Sequence, residues 1–222
     1  MERNPLPIEI LAEDDRIVAV VKPAGVPTAH APRGSPSVYA WLRRTRPFVG
    51  VVSRLDEPVS GVVLFAKTTG AAASLARQFR ERTVVKEYVA VVEGRFPAPL
   101  DAWVEWVDTL SDPDGDDEGE AADGGREARL RARVTRRQGE VSLVEIEPAT
   151  GRKHQIRRQL AARRCPIVGD RRYGARLPLV RGIALHSRGL AFDHPATGER
   201  LRLEAPCPPD WRSRFATLLG PM

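Results

Sequence analysis

Short apolar or alternating runs of strand length recur along the chain and outnumber the stretches of helical period. "RIVAVV" (16–21) and "GVVLFAK" (61–67) are continuous apolar runs, the pattern of buried strands. "VVKEYVAVVEG" (84–94) alternates, with Val85, Glu87, Val89 and Val91 on one face and Lys86, Tyr88 and Ala90 on the other. "ARLRARVTRR" and "EVSLVEIEP" flank Gln138-Gly139, which reads as a hairpin turn, and "IALHSRGLAF" and "RLRLEAP" supply two late strands. Helical period is confined to three places. These are "SVYAWLRRTR", capped by Ser37 with Val38, Trp41 and Leu42 inward; "TTGAAASLARQFRER", striped by Ala72, Leu75, Ala76 and Phe79; and the short "KHQIRRQLAAR". The implied class is α+β, a mixed, mostly antiparallel sheet core with flanking helices. There is no internal repeat, and 222 residues read as a single domain over 1–222.

Charge narrows the partners. The stretch "SDPDGDDEGEAADGG" (111–125) holds seven acids and no base, so the net charge of +6 becomes +13 outside it. It lies between strands and has the composition of an acidic flexible insert in a surface loop, which shields the basic face or is tolerated filler. Of the 35 basic residues only Lys22, Lys67, Lys86 and Lys153 are lysines. Arginine's planar fork fits phosphate and stacks on bases, although a codon bias toward arginine gives the same ratio. The positive excess itself points to a polyanionic partner. No apolar run approaches bilayer length, and "MERNPLPIEI" lacks a secretory layout, so a cytoplasmic, non-membrane protein is expected. Cys165 and Cys207 are too few and too far apart for a disulfide framework or a zinc knuckle.

Three clusters carry the candidate chemistry: "SRLDEPVSGVVLFAK", "VKEYVAVVEG" and "GRKHQIRRQLAARRCPIVGDRRYG". Taken singly, each has an ordinary structural reading. Arg54 and Asp56 read equally as a surface ion pair, Tyr88 as a core tyrosine, and the basic helix as a solvated face. Taken together they resemble the RluA-type pseudouridine synthases, whose pattern runs close to H-R-L-D-x-x-[ST]-S-G, then K-x-Y-x-A-x-V, then G-R-x-H-Q-I-R with P-I-x-G-D-x-x-Y-G. These fall on Ser53 to Gly61, Lys86 to Val92, and Gly151 to Gly174, in the family's order. "DDRIVAVVKPAGVPT" resembles the family's first motif and "IALHSRGLAFDHPATGERLRLEAPCPPDW" its ending, so the likeness covers nearly the whole chain.

The resemblance implies a pseudouridine-synthase-like fold and an isomerase that detaches uracil from its ribose in RNA, turns it and rejoins it through C5. It implies Asp56 as nucleophile, with a guanidinium, Arg157, keeping that carboxylate ionised in a partly dry site. Tyr88 matches the tyrosine that lies against the target ring and helps remove a proton, and Ile156 is the apolar wall under the base. Arg54 matches the arginine that fills the space left by the extruded nucleotide, an extrusion costing a few kcal/mol. Lys86 and Arg152 are the remaining substrate-binding candidates. His154 reads as a structural hydrogen-bonder rather than a general base. An isomerisation requires no cofactor and no metal. The expected partner is a transfer or ribosomal RNA stem-loop, bound by a monomer. The catalytic pattern begins almost at once, so an N-terminal S4-type RNA-binding domain is not expected.

The sequence departs from the pattern at supporting positions. Ser53 replaces the usual histidine, Val59 the usual Thr or Ser, Gln159 a frequent histidine, and Arg164-Cys165 a glycine-containing turn. Two other readings follow from this. One is an inactive RNA-binding or ribosome-assembly factor of the same fold, favoured by Ser53 and opposed by the retained Asp56, Tyr88 and Arg157. The other, a carboxylate-dependent hydrolase of nucleotides, would need a second paired acid or a metal site, and the sequence has neither.

Overall fold

The structure, a computed structural model, describes residues 8–29, 36–111 and 125–220. The chain forms two compact units, residues 1–85 with 186–208, and residues 86–185 with 209–222. Among the described residues the strand pairings are mostly antiparallel; a short parallel contact lies in the first unit and an isolated parallel bridge joins Leu100 and Val134 in the second. The class is α+β, a mixed and mostly antiparallel sheet with few helices.

In the first unit β1 (Glu9–Glu13) pairs with β2 (Ile17–Lys22), and β2 pairs with β4 (Ser60–Ala66). The two-residue β3 (Gly50–Val51) also pairs with β4. Strand β4 is buried along its whole length, because both of its faces are covered. Val62, Leu64 and Ala66 join Ala71 and Leu75 of α2 (Thr69–Glu81) in one cluster. Val63 and Phe65 join Val38 and Leu42 of α1 (Val38–Leu42) in another. The period of two in the strand thus assigns alternate residues to the two helices. Ser37 and Thr68 cap these helices, accepting from the N–H groups of Ala40 and Ala71 at 3.1 Å each. The buried stripe of α2 runs through Ala71, Leu75 and Gln78, rotated from the expected one, with Ala72 and Phe79 at its edge. Gln78 explains the rotation. Its side-chain amide pairs with both the C=O and the N–H of Asp193, at 2.7 and 2.9 Å, so a polar residue takes a buried position.

The parallel contact is Ser60 and Gly61 of β4 against His186 and Ser187 of β9 (Leu185–Asp193). Gly61 has φ +120, and a Cβ there would lie 2.2 Å from the Ser187 carbonyl oxygen. Only glycine lets the two backbones approach this closely. Strand β10 (Arg200–Glu204) completes the unit against β9.

In the second unit the order is β5 (Val85–Glu93), β8 (Val141–Pro148), β7 (Arg126–Gln138) and β6 (Val104–Leu110). Gln138 pairs with Val141, so the β7–β8 turn falls on Gly139-Glu140, one residue later than expected. Gly139 sits at φ +55, where a tight hairpin turn needs it. Leu110 pairs with Arg126, so the acidic insert connects two paired strands; its residues 112–124 lie outside the described residues. Helix α3 (Gln155–Ala162) follows β8, and α4 (Pro209–Arg214) and α5 (Ala216–Leu219) end the unit with Trp211, Phe215 and Leu218 buried.

Candidate functional site

Asp56 lies half-buried on the loop between β3 and β4, and side chains and backbone groups from elsewhere fix that loop at successive residues. Ser53 Oγ donates to the Leu64 carbonyl at 3.1 Å and accepts from the Leu64 N–H at 2.9 Å, standing in for a strand partner. Thr28 Oγ1 does the same for Leu55, donating to its C=O at 3.0 Å and accepting from its N–H at 3.1 Å. The carbonyl of Glu57 accepts from the Gly25 N–H at 2.8 Å and from Lys22 Nζ at 3.0 Å. The Val59 N–H closes a turn onto the Asp56 carbonyl at 3.0 Å. Both neighbours of Asp56 are therefore held through their backbones, which fixes the position of the residue between them. Arg54 is exposed two residues before it.

Lys22 is fully buried, and its ammonium donates to the carbonyls of Pro23, Val26 and Glu57 at 3.1, 2.7 and 3.0 Å. Three N–H donors meet three acceptors, the match an ammonium needs when it leaves water. Burial pulls its pKa down to about 7, against the charges of Asp56 and Glu57, which favour the protonated form. In the sequence this lysine opens the turn "KPAGVP" within the first motif, with no role of its own.

His186 is a second buried group to which sequence reasoning assigns no role. Its Nδ1 lies 2.9 Å from Ser60 Oγ and its Nε2 3.2 Å from the Ala205 carbonyl. Nε2 carries the proton for that carbonyl, and Nδ1 accepts from the serine. Burial drives the imidazole pKa from 6.5 down to about 4. A histidine held neutral in the fold while the unfolded chain takes up a proton loses stability as pH falls. Its contribution is complete above about pH 6.5 and is lost down to about pH 4, on the order of 3 kcal/mol. His186→Gln is expected to flatten that part of the curve. Urea unfolding of both proteins at pH 7.5 and 4.5 (about one unit beyond and within the window) measures it. Equal pH slopes would show that His186 does not set the acid limit.

In the second unit Lys86 Nζ donates to the Thr150 carbonyl at 3.1 Å, beside Gly151, and Tyr88 is half-buried on the same strand. Gln155 organises the "GRKHQIR" loop. Its Oε1 accepts from Thr150 Oγ1 at 2.7 Å and the Arg152 N–H at 3.0 Å, and its Nε2 donates to the Arg129 carbonyl at 3.1 Å. His154 occupies the left-handed position before α3, with Nδ1 2.8 Å from Tyr173 Oη. Arg152 donates to the Glu127 carbonyl at 3.0 Å, and Ile156 is buried.

Arg157 is gripped along one edge. Its Nε and Nη2 donate to Asp170 at 2.7 and 2.9 Å, with side-chain exposures of 6% and 2%. The Tyr173 ring lies 5.0 Å from its guanidinium carbon. Asp170 takes two of the five N–H donors that a guanidinium offers. Sequence reasoning missed this acid, although it is the aspartate of the quoted G-D pair. Gln159, where a histidine is frequent, is fully buried and donates to Asp108 at 2.6 Å and to the Ala128 carbonyl at 3.1 Å, so the substitution fills a structural position. Among the described residues no three His, Cys, Asp or Glu side chains form a group able to hold a metal ion. No described helix is long and apolar enough to cross a membrane.

This architecture is that of the pseudouridine synthases. The solved structure of human RNA Pseudouridylate Synthase Domain Containing 4 superposes with a TM-score of 0.77 at 25% identity, covering 96% of this chain and 94% of the other. Human RNA Pseudouridylate Synthase Domain Containing 1 gives a TM-score of 0.72 at 24% identity, covering 94% and 87%. The model of the RNA pseudouridylate synthase family matches residues 16–162. Ribosomal large subunit pseudouridine synthase D of Xanthomonas campestris pv. campestris is 35% identical, over 96% of this chain and 70% of its own. Ribosomal large subunit pseudouridine synthase C of Salmonella typhimurium is 36% identical, over 89% and 66%. The chain thus spans about two thirds of the length of these curated relatives. It belongs to the RNA pseudouridylate synthase family, RluA type, whose members are isomerases.

Proposed function

We propose that this chain converts uridine to pseudouridine in large-subunit ribosomal RNA, with Asp56 as the nucleophile. The observation that carries the reading is the Asp56 loop, in which both flanking residues are tied through their backbones, so that the motif acid between them is held in place. Such pre-positioning is what a nucleophile needs, since a misplaced carboxylate loses most of its advantage. In the reaction the bond from uracil N1 to ribose C1′ breaks and a bond from C5 to C1′ forms. C5 gives up its proton and N1 gains one, so the net change is an isomerisation. Tyr88 assists removal of the C5 proton, Arg157 supports the ionised Asp56, Ile156 backs the base, and Arg54 fills the space left by the extruded nucleotide. Lys86 and Arg152 contact the substrate. The motif order supports this set, and the names of the relatives support the choice of ribosomal over transfer RNA.

The test is carbodiimide mapping of ribosomal and transfer RNA from cells with the gene, without it, and without it but supplied with Asp56→Asn. The expected result is a large-subunit signal present only with the wild-type gene. A signal restored by Asp56→Asn would remove the assigned nucleophile, and a signal confined to transfer RNA would replace the substrate.

A further inference from the structure

The arginines of the second unit differ in whether an acid pairs with them. Three on β7 are neutralised where they stand: Arg129 pairs with Glu105 at 3.1 Å, Arg131 with Glu147 at 2.5 Å and Arg133 with Glu145 at 2.7 Å. The segment from Arg171 to Gly182 is different. Arg171, Arg172, Arg176 and Arg181 are exposed and no acid occurs between them in sequence. Among the described residues, no carboxylate pairs with the guanidinium of Arg171, Arg176 or Arg181.

One acid that reaches this segment, Glu93, is spent on shaping it. Glu93 accepts from the backbone N–H of Arg176 at 3.0 Å and of Leu177 at 2.8 Å. The Leu177 carbonyl accepts from the Gly169 N–H at 2.9 Å, and the Ala175 N–H closes onto Asp170 at 3.1 Å. The backbone is therefore fixed at its base, and Val180 stands at the tip with 83% of its surface exposed beside Arg181. Exposing an apolar residue and leaving cations uncompensated both favour a partner over solvent. Guanidinium groups facing outward from a fixed loop, with an apolar tip between them, match a phosphodiester backbone with exposed sugars and bases.

We propose that the 171–182 loop is a docking surface for the RNA backbone outside the target uridine. This rests on the reading of the chain as an RNA-modifying enzyme but assigns a surface that its catalytic motifs do not.

The experiment uses Arg176→Ser/Arg181→Ser in the full chain. Neither side chain pairs with an acid among the described residues, so the fold is expected to be unaffected. The control is Arg200→Ser/Arg202→Ser, which removes two exposed arginines already paired with Asp193 and Glu204. Binding to a large-subunit ribosomal RNA transcript is measured by filter retention over a series of KCl concentrations. The loop variant is expected to bind about tenfold more weakly at low salt, with the slope of log affinity against log salt reduced by about 1.4 to 1.8. Its KM for modification rises while kcat at saturating RNA stays at the wild-type value. The control keeps the wild-type slope.

Unchanged slope and KM in the loop variant, with wild-type modification intact, would overturn the docking surface and leave the proposed function standing. Reduced binding and slope, with no modification by the wild type, would leave the surface standing and sink the function. A fall in kcat with unchanged affinity also overturns the proposal, as does loss of an acidic protein partner with RNA binding intact.

Discussion

Asp56→Asn is expected to form no measurable pseudouridine while binding RNA with wild-type affinity. The amide has the shape of the carboxylate but cannot act as an anionic nucleophile, so the whole covalent route is lost. A fall in turnover of at least about 10³-fold, equivalent to about 4 kcal/mol of barrier, is the smallest effect consistent with the role. The fold should tolerate the change. Bonds that hold the loop use the backbones of Leu55 and Glu57 and the side chains of Ser53, Thr28 and Lys22, and the isosteric substitution removes none of these. One electrostatic consequence does follow, because Asp56 helps to keep the buried Lys22 protonated. Removing that charge weakens the support for the ammonium and lowers stability by a small amount, which thermal unfolding at pH 7 measures. RNA affinity should stay the same, since phosphate contacts come from arginines. Turnover near the wild-type rate would show that Asp56 is not the nucleophile. A variant that unfolds would show that the carboxylate is part of the loop's structure.

The parts of this molecule that were legible in the sequence are those set by local rules. The apolar run of β4 gave a strand buried on both faces, Ser37 gave the cap of α1, and the alternation in 84–94 gave β5. The Asp56, Tyr88 and Arg157 motifs were legible because the family pattern fixes them residue by residue. What stayed hidden depends on partners distant in sequence. Lys22 looks like a turn residue until the Glu57 carbonyl, 35 positions away, becomes its acceptor. Gln78 looks polar and outward until the backbone of Asp193 satisfies it. Strand β6 escaped notice because its neighbour β7 defines it, while its own Val107 is exposed and its pattern weak. His186 falls within the quoted "IALHSRGLAF" ending, yet its role stays hidden there, since it comes from a serine 126 residues earlier and a carbonyl 19 residues later.

Arg157→Met is expected to damage stability and activity together, and a second substitution separates the two. Asp170, with a side chain 2% exposed, would keep a buried carboxylate without the guanidinium that grips it at 2.7 and 2.9 Å. Breaking one side of such a pair typically costs about 3–5 kcal/mol, enough to unfold a marginal domain. The low activity of the single variant would therefore say little about chemistry. In Arg157→Met/Asp170→Leu both charges leave together. Replacing a buried ion pair by apolar side chains of similar volume is often neutral or stabilising, so the double variant should regain most of the lost stability. Chemical denaturation reports that recovery directly. If Arg157 serves only the fold, turnover should return along with stability. If its remaining N–H donors support the ionised nucleophile, turnover should remain low, by about 10²-fold or more, in a protein that is folded and still binds RNA. Stable protein with restored turnover would assign Arg157 to structure and leave Arg152, the other arginine of "GRKHQIR", as the candidate cation.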